Sequence, residues 1–125
     1  MDERVQEALA NDRTIDITTI GRNSDLPRRI ETWFYRVDGQ IYLTGSPGRR
    51  DWYANLVTNP DFTFHLKQSV AADLPARATP ITDPEQKRAI FARILSDLGG
   101  TENLEAWLDG SPLMAVHFSG QLQED

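Results

Sequence analysis

The stretch RRIETWFYRVDGQIYLT, residues 28–44, decides the fold. Asp38-Gly39 stands between two runs rich in β-branched and aromatic residues. A two-residue type I′ turn needs positive φ at both central positions, and an Asp-Gly pair meets that need, so a hairpin is predicted here. One arm runs from about Arg29 to Val37, with Trp33 and Tyr35 on one face and Phe34 on the other. The partner arm is Gln40 to Thr44.

Working outward, the period of two recurs from Thr14. Ile15, Ile17 and Thr19 share one face of a strand, and Asp16, Thr18 and Ile20 share the other. GRNSDLP at 21–27 is a turn segment, since Gly, Asn, Ser, Asp and Pro each favour turns. Phe62, Phe64 and Leu66 alternate with Thr63, His65 and Lys67, marking another strand. Residues 69–80 alternate again, and Pro75 inside them predicts a bulge or an edge. Leu113 to Phe118 is a final strand.

Helical spacing fills the rest. Residues 2–11 place Val5, Ala8 and Leu9 on one side. Asp51 is read as an N-cap ahead of Trp52, Tyr53, Leu56 and Val57, and Asn59-Pro60 ends that helix. Asp83, Pro84 and Gln86 open a longer helix with the stripe Ile90, Phe91, Ile94, Leu95 and Leu98, which Gly99 stops. Leu104, Trp107 and Leu108 mark a short helical piece. About six strand segments with three to four helices, mostly hairpin-connected, give a small antiparallel α+β barrel. Residues 1–125 are expected to form one domain.

Composition bounds the function. Thirteen basic against nineteen acidic residues give a net charge of -6, which argues against nucleic acid as a partner. There is no cysteine, so disulfides, thiolate catalysis and zinc-thiolate sites are excluded. No apolar run could span a bilayer, and MDERVQEALAND lacks a signal core. The expectation is a cytoplasmic protein without membrane insertion.

The charge is unevenly spread. Residues 21–50 hold six arginines (22, 28, 29, 36, 49 and 50) against Asp25, Glu31 and Asp38, a local balance of +3. Arginine suits two-pronged recognition of phosphate or carboxylate. Two loops carry this chemistry: Arg22, Asn23 and Ser24 in one; Ser46, Gly48, Arg49 and Arg50 in the other, just before a helix start that favours anions. Convergence of the loops at one end of the barrel would make a site for an anionic small molecule. Against this stands the bland reading, in which each arginine is a solvated surface residue paired with a local acid. Trp52 and Asn55 share a helix face. Periodicity makes Trp52 a core residue, and a ring-pocket wall with Asn55 bonding a ligand is the functional alternative.

No catalytic residue is assigned. His65 and His117 fall on strands without metal-ligand spacing, and no metal site is expected. There is no nucleophile elbow, P-loop or dinucleotide fingerprint. Chemistry, if present, would then be carried by a bound cofactor.

Two runs carry a family resemblance. TTIGRNSDLPR (18–28) resembles the T-T-x-G-R-x-S-G-x-P-R signature of the deazaflavin-dependent nitroreductase family. DGQIYLTGSPGRRDWYANLVTNPDFTFHL (38–66) resembles its continuation, with the W-Y-x-N-L-x-x-N-P block at Trp52, Tyr53, Asn55, Leu56, Asn59 and Pro60. The resemblance implies a split β-barrel related to pyridoxamine-phosphate-oxidase-like proteins, and binding of coenzyme F420 with its phosphate and oligoglutamate tail. It implies an oxidoreductase passing a hydride to a small-molecule electron acceptor: a quinone, an activated alkene or a nitro compound. By motif position it puts Arg22, Asn23 and Ser24 on the phosphate and tail loop, with Pro27 and Arg28 also assigned to cofactor binding. Ser46 falls in the loop beside the ring, Gly48, Arg49 and Arg50 of the same loop are assigned to cofactor binding, and Trp52 and Asn55 fall on the helix bordering the cofactor. The acceptor pocket is assigned to Tyr35, Tyr53 and Trp107.

Two positions depart from the signature. Asn23 replaces a common Lys or Arg, and Asp25 replaces Gly, both making the loop less positive. Alternatives are an FMN-dependent oxidoreductase on the same barrel, or a non-catalytic module that binds an anionic small molecule. Either a monomer or a homodimer fits the sequence.

Overall fold

The computed structural model describes residues 2–119. Its elements are α1 (Glu3–Asn11), β1 (Thr14–Ile20), β2 (Pro27–Trp33), β3 (Tyr35–Val37), β4 (Gln40–Thr44) and α2 (Asp51–Thr58). There follow β5 (Asp61–Leu66), β6 (Ala72–Pro80), α3 (Pro84–Leu98), α4 (Leu104–Gly110) and β7 (Leu113–Phe118). This is the expected α+β class with an antiparallel sheet, with seven strands where about six are predicted.

The extra strand arises within the opening stretch. The predicted arm Arg29–Val37 divides at Phe34. β2 pairs with β1, where Trp33 lies opposite Thr14, while β3 pairs with β4, where Tyr35 lies opposite Tyr42. The strand order is β2-β1-β5-β6-β7-β4-β3, so β2 and β3 are the two edges of the sheet. A single residue joins them. The sheet must therefore curl until its edges meet at Phe34. That side chain is 2% exposed, and its N–H donates to the Arg13 carbonyl at 2.9 Å. Side chains keep alternating through Trp33, Phe34 and Tyr35 while the hydrogen-bond partner changes, so the sequence reads as one unbroken strand. The Asp38-Gly39 turn is as predicted, with φ of 52° and 83°.

Two cores result. Ile15, Ile17, Phe34, Leu43, Phe64 and Met114 fill the barrel interior, joined by Val5 and Ala8 of α1 and Trp52 and Leu56 of α2. Phe64 makes edge-on contacts with Phe34 (5.3 Å) and Phe118 (5.1 Å). On the other face of β3 and β4, Tyr35, Val37 and Tyr42 pack against Ile90, Phe91, Ile94, Leu95 and Trp107 of α3 and α4. The alternation Ile41-Tyr42-Leu43 thus serves both cores. Pro75 lies where β6 has β5 alone as a neighbour, because pairing with β7 begins at Ala76. Its missing N–H falls at a local edge.

Candidate functional site

The turn after β1 is built on itself. Gly21 N–H donates to the Leu26 carbonyl (2.9 Å), Asp25 N–H to the Gly21 carbonyl (3.0 Å), and Leu26 N–H to Ser24 Oγ (3.2 Å). Asp25 stands at φ +57°, the left-handed region. This explains why glycine suits the position, and short Asx side chains tolerate it too.

Helix α2 is fastened to this turn by side chains four residues apart. Asn55 Oδ1 accepts from both the backbone N–H (3.1 Å) and Nη1 (2.9 Å) of Arg22, while its Nδ2 donates to Thr19 Oγ1 at 3.3 Å. Asn59 Nδ2 donates to the Ile20 carbonyl at 3.3 Å. On another face of the same helix Trp52 and Leu56 enter the barrel core. The W-Y-x-N-L-x-x-N-P spacing therefore has a physical meaning, with one pair of residues for packing and one pair for holding the loop.

Asp51 is not the N-cap. The helix starts at Asp51, with Arg50 at the cap position and no side-chain cap bond. The Asp51 carboxylate instead faces Arg22 Nη2 at 3.5 Å. The first N–H groups of α2 are thereby left without a side-chain cap.

Two grooves flank this helix start. The first, about 180 Å³, is lined by Gly21, Arg22, Asn23, Ser24, Arg28, Asp51 and Asn55. The second, about 350 Å³, includes Gly48, Arg49, Arg50, Tyr53, Lys87 and Ser111 in its lining. Gly48 N–H donates to the Gly110 carbonyl at 3.1 Å, joining the loop after β4 to the end of α4. A Cβ on Gly110 would stand 3.2 Å from Pro47 Cβ, so glycine permits this close approach. Arg50 bends back over its own loop, its Nη2 donating to the Ser46 carbonyl at 2.8 Å.

The predicted residues are thus divided. Arg22, Asn23, Ser24, Arg28 and Asn55 meet in the first groove; Gly48, Arg49, Arg50 and Tyr53 meet in the second. Pro27 begins β2, and Ser46 is exposed on the loop. Trp52 is 5% exposed within the barrel core, as its periodicity predicts. Tyr35 and Trp107 line neither groove. Trp107 packs edge-on against Phe91 at 5.7 Å, and burial pushes the Tyr35 phenol above its ordinary pKa. Both belong to the core under α3 and α4, because the outward face of β3 is covered by helices.

The arginine-rich stretch likewise separates by role. Arg29 pairs with Asp16 at 3.0 Å on the sheet surface. Arg36 donates to the Leu9 carbonyl (2.6 Å) and to that of Asp12, satisfying the end of α1. Four arginines remain for the two grooves.

Nothing in the sequence singles out Ser111 or Lys87, which line the second groove. A serine between Gly110 and Pro112 reads as a helix-end turn, and Lys87 as a solvated helix face. The histidines are strand residues, as expected. His65 is buried, its Nε2 2.7 Å from Thr18 Oγ1 and its Nδ1 2.7 Å from Asp73 Oδ1; His117 is exposed. The His65 hydrogen bond holds the Asp73 carboxyl below the usual carboxylate range. No cluster that could hold a metal occurs among the described residues, and no helix there is long and apolar enough to cross a membrane.

Residues 3–109 match the family described as F420H(2)-dependent quinone reductase. The chain belongs to that family. As a member of the F420H2-dependent quinone reductase family it is an oxidoreductase. Solved structures agree on the fold. A conserved hypothetical protein, Rv2991 of Mycobacterium tuberculosis, superposes with a TM-score of 0.72 at 18% identity, over 95% of this chain and 81% of that one. A protein described as an F420 reductase gives 0.69 at 15% identity, over 95% and 96%. A pyridoxamine 5'-phosphate oxidase-like protein of Listeria innocua gives 0.69 at 13%, over 94% and 92%. At these identities the likeness shows the fold alone, here the split barrel that the family resemblance implies. No curated protein matches the chain.

The residues present fit F420. The first groove offers two guanidinium groups, an amide and a hydroxyl to an anionic tail, opposed by one carboxylate. The second adds three cations against Asp109. Arg22 is the best placed of these donors. Asn55 holds its backbone and its guanidinium together, so little side-chain freedom is left to lose on binding.

Proposed function

We propose that this family member binds F420 with its phosphate and glutamate tail along Arg22–Arg28 and reduces a small electrophilic acceptor. Quinones are favoured, with activated alkenes and nitro compounds as the related classes. The observation that carries this reading is the Arg22–Asn55 pair, which makes the turn after β1 and the start of α2 one preorganised, donor-rich rim. When bound, reduced F420 supplies a hydride. The chain's own part is to orient and to balance charge. Arg22 and Arg28 attract the tail, Asn23 and Ser24 offer polar contacts, and the curled sheet fixes their spacing.

A fluorescence titration with F420 and FMN side by side tests the proposal, with menadione turnover separating an enzyme from a binding module. Tight binding of F420 and reduction of menadione are expected. No F420 binding at micromolar concentration would refute it. Arg22→Ala should weaken F420 by about 1.5–3 kcal/mol, the value of a charge-assisted hydrogen bond. Unchanged affinity would place the tail elsewhere.

Asp25 offers a gain in place of a loss. Asp25→Gly removes a carboxylate from the phosphate loop and accepts φ +57° without a Cβ. Relief of roughly 1 kcal/mol of left-handed cost is offset by the freer unfolded chain, so Tm should barely move. F420 affinity at low salt should rise about threefold, the scale of one exposed charge, and the gain should shrink in high salt. Titrations at two salt concentrations check this.

A further inference from the structure

Most cationic side chains of this acidic chain face a carboxylate. Arg29 pairs with Asp16, Lys67 with Asp16 and Glu31, Arg77 with Asp61, Arg88 with Glu105 and Arg93 with Asp38. Among the described residues Arg13 and Arg36 have no such partner, and both lie over aromatic rings. The others without one are Arg28 in the first groove and Arg49, Arg50 and Lys87 in the second. In a chain of net charge -6, cations gathered in a groove without counter-charges stand against the general field and favour an anion there.

The second groove is built to present them. Arg50 Nη2 is tied to the Ser46 carbonyl, and Gly48 N–H to the Gly110 carbonyl, which fixes the loop after β4 against the end of α4. Arg49 is exposed on that loop. Lys87 is half-buried on α3, its ammonium 5.9 Å from the Phe91 ring centroid. Among the described residues neither the Arg49 nor the Lys87 side chain makes a hydrogen bond, so their donors are open to a ligand. Half-buried Tyr53 and Ile81 supply apolar wall, and a volume of about 350 Å³ admits a flat two-ring molecule. Asp109 is the one carboxylate in the lining, and it pairs with none of the three cations. An adjoining groove shares Lys87, but there Glu85, Glu105 and Asp109 outnumber the bases, so an anion is favoured on the near side of Lys87.

We infer that the second groove binds a carboxylate carried on a flat ring system, and so selects electron acceptors that bear an acidic group. Calling the ligand an acceptor rests on the proposed function; the carboxylate subsite stands on the groove itself. The glutamate tail of F420 carries the same chemical group, but the first groove already offers that tail its donors, which leaves the second to the acceptor. Lys87 is thereby a specificity-determining residue outside the motif regions. Its ammonium meets the acid group while Tyr53 and Ile81 cover the ring.

The probes are 2-naphthoate and its uncharged counterpart of like shape, 2-naphthamide, titrated calorimetrically into the cofactor-free protein. Naphthoate should bind about tenfold more tightly than the amide. Lys87→Gln, which suits a helix surface, should lower naphthoate affinity about fivefold and leave the amide unchanged, and Lys87→Arg should keep the preference. In turnover with reduced F420, naphthoate should compete with menadione, and oxidised F420 should not displace it. Equal binding of the two probes, or no change in Lys87→Gln, would overturn the subsite. Displacement of naphthoate by F420 would give the groove to the cofactor tail, and inhibition not competitive with menadione would set it apart from the acceptor; either result would overturn the inference. Failure of the wild-type protein to bind F420 or reduce menadione would sink the proposed function and the acceptor assignment with it, while the naphthoate preference would still decide the carboxylate subsite.

Discussion

Phe34→Ala should destabilise the protein by about 3–5 kcal/mol, the range for emptying a buried aromatic site. Few substitutions here should cost more. Phe34 is the one residue between the two sheet edges, and its ring meets Phe64 at 5.3 Å with the Arg36 guanidinium 4.9 Å from its centroid. Alanine keeps the backbone bond to Arg13 but leaves the closing point of the barrel unfilled. Against a typical domain stability of about 5–15 kcal/mol, that loss is a large fraction. Urea unfolding measures it as a fall in midpoint. The neighbouring Trp33 is 46% exposed and stacks with Arg13 at 5.1 Å, so Trp33→Ala should cost about 1 kcal/mol or less. Equal costs at the two positions would mean that the sheet does not close through Phe34.

That contrast marks how far the sequence could be read. Side-chain alternation reports which face a residue takes: Ile15, Ile17 and Thr19 of β1 and Phe62, Phe64 and Leu66 of β5 are buried, but His65 on the opposite face of β5 is buried as well. Alternation is blind to which strand lies alongside. At Trp33-Phe34-Tyr35 the faces continue while the partner passes from β1 to β4, so a change from one sheet edge to the other left no local trace. The Asp38-Gly39 turn was legible because its backbone angles demand particular residues. The cap of α2 was not, because Asp51 serves Arg22, a long-range partner that local spacing cannot reveal.

The candidate site divides in the same way. Arg22, Asn23, Ser24, Arg28 and Asn55 were found through charge clustering and motif spacing, and they meet in space. Tyr35 and Trp107 are expected in the acceptor pocket. Whether a ring faces a ligand or a helix depends on what covers the sheet, and α3 and α4 cover that face. Lys87 carries no signal at all in sequence. Its lack of a carboxylate partner among the described residues is a property of its surroundings, visible once every neighbour is in place.

Asn55→Ala is the second large effect, and it couples stability to the proposed binding. The amide is 3% exposed and serves three bonds: two accepted from Arg22 and one donated to the equally buried Thr19. Alanine leaves the Thr19 hydroxyl without that donor in the interior and the Arg22 N–H without its acceptor. At about 1–3 kcal/mol for each buried group left unpaired, partly relieved by water at Arg22, a loss of roughly 2–4 kcal/mol is expected. Asn59→Ala, which removes one 3.3 Å bond at a part-buried position, should cost about 1 kcal/mol. F420 titration separates the two further. With Asn55 gone, Arg22 keeps its charge and only the 3.5 Å contact to the exposed Asp51 carboxylate holds its guanidinium, so affinity should fall several-fold under conditions where the protein remains folded. Asn59→Ala leaves Arg22 in place and should bind as the wild type does. If both variants bound F420 equally well, Arg22 would need no fixed orientation, and the preorganised rim would lose its role in recognition.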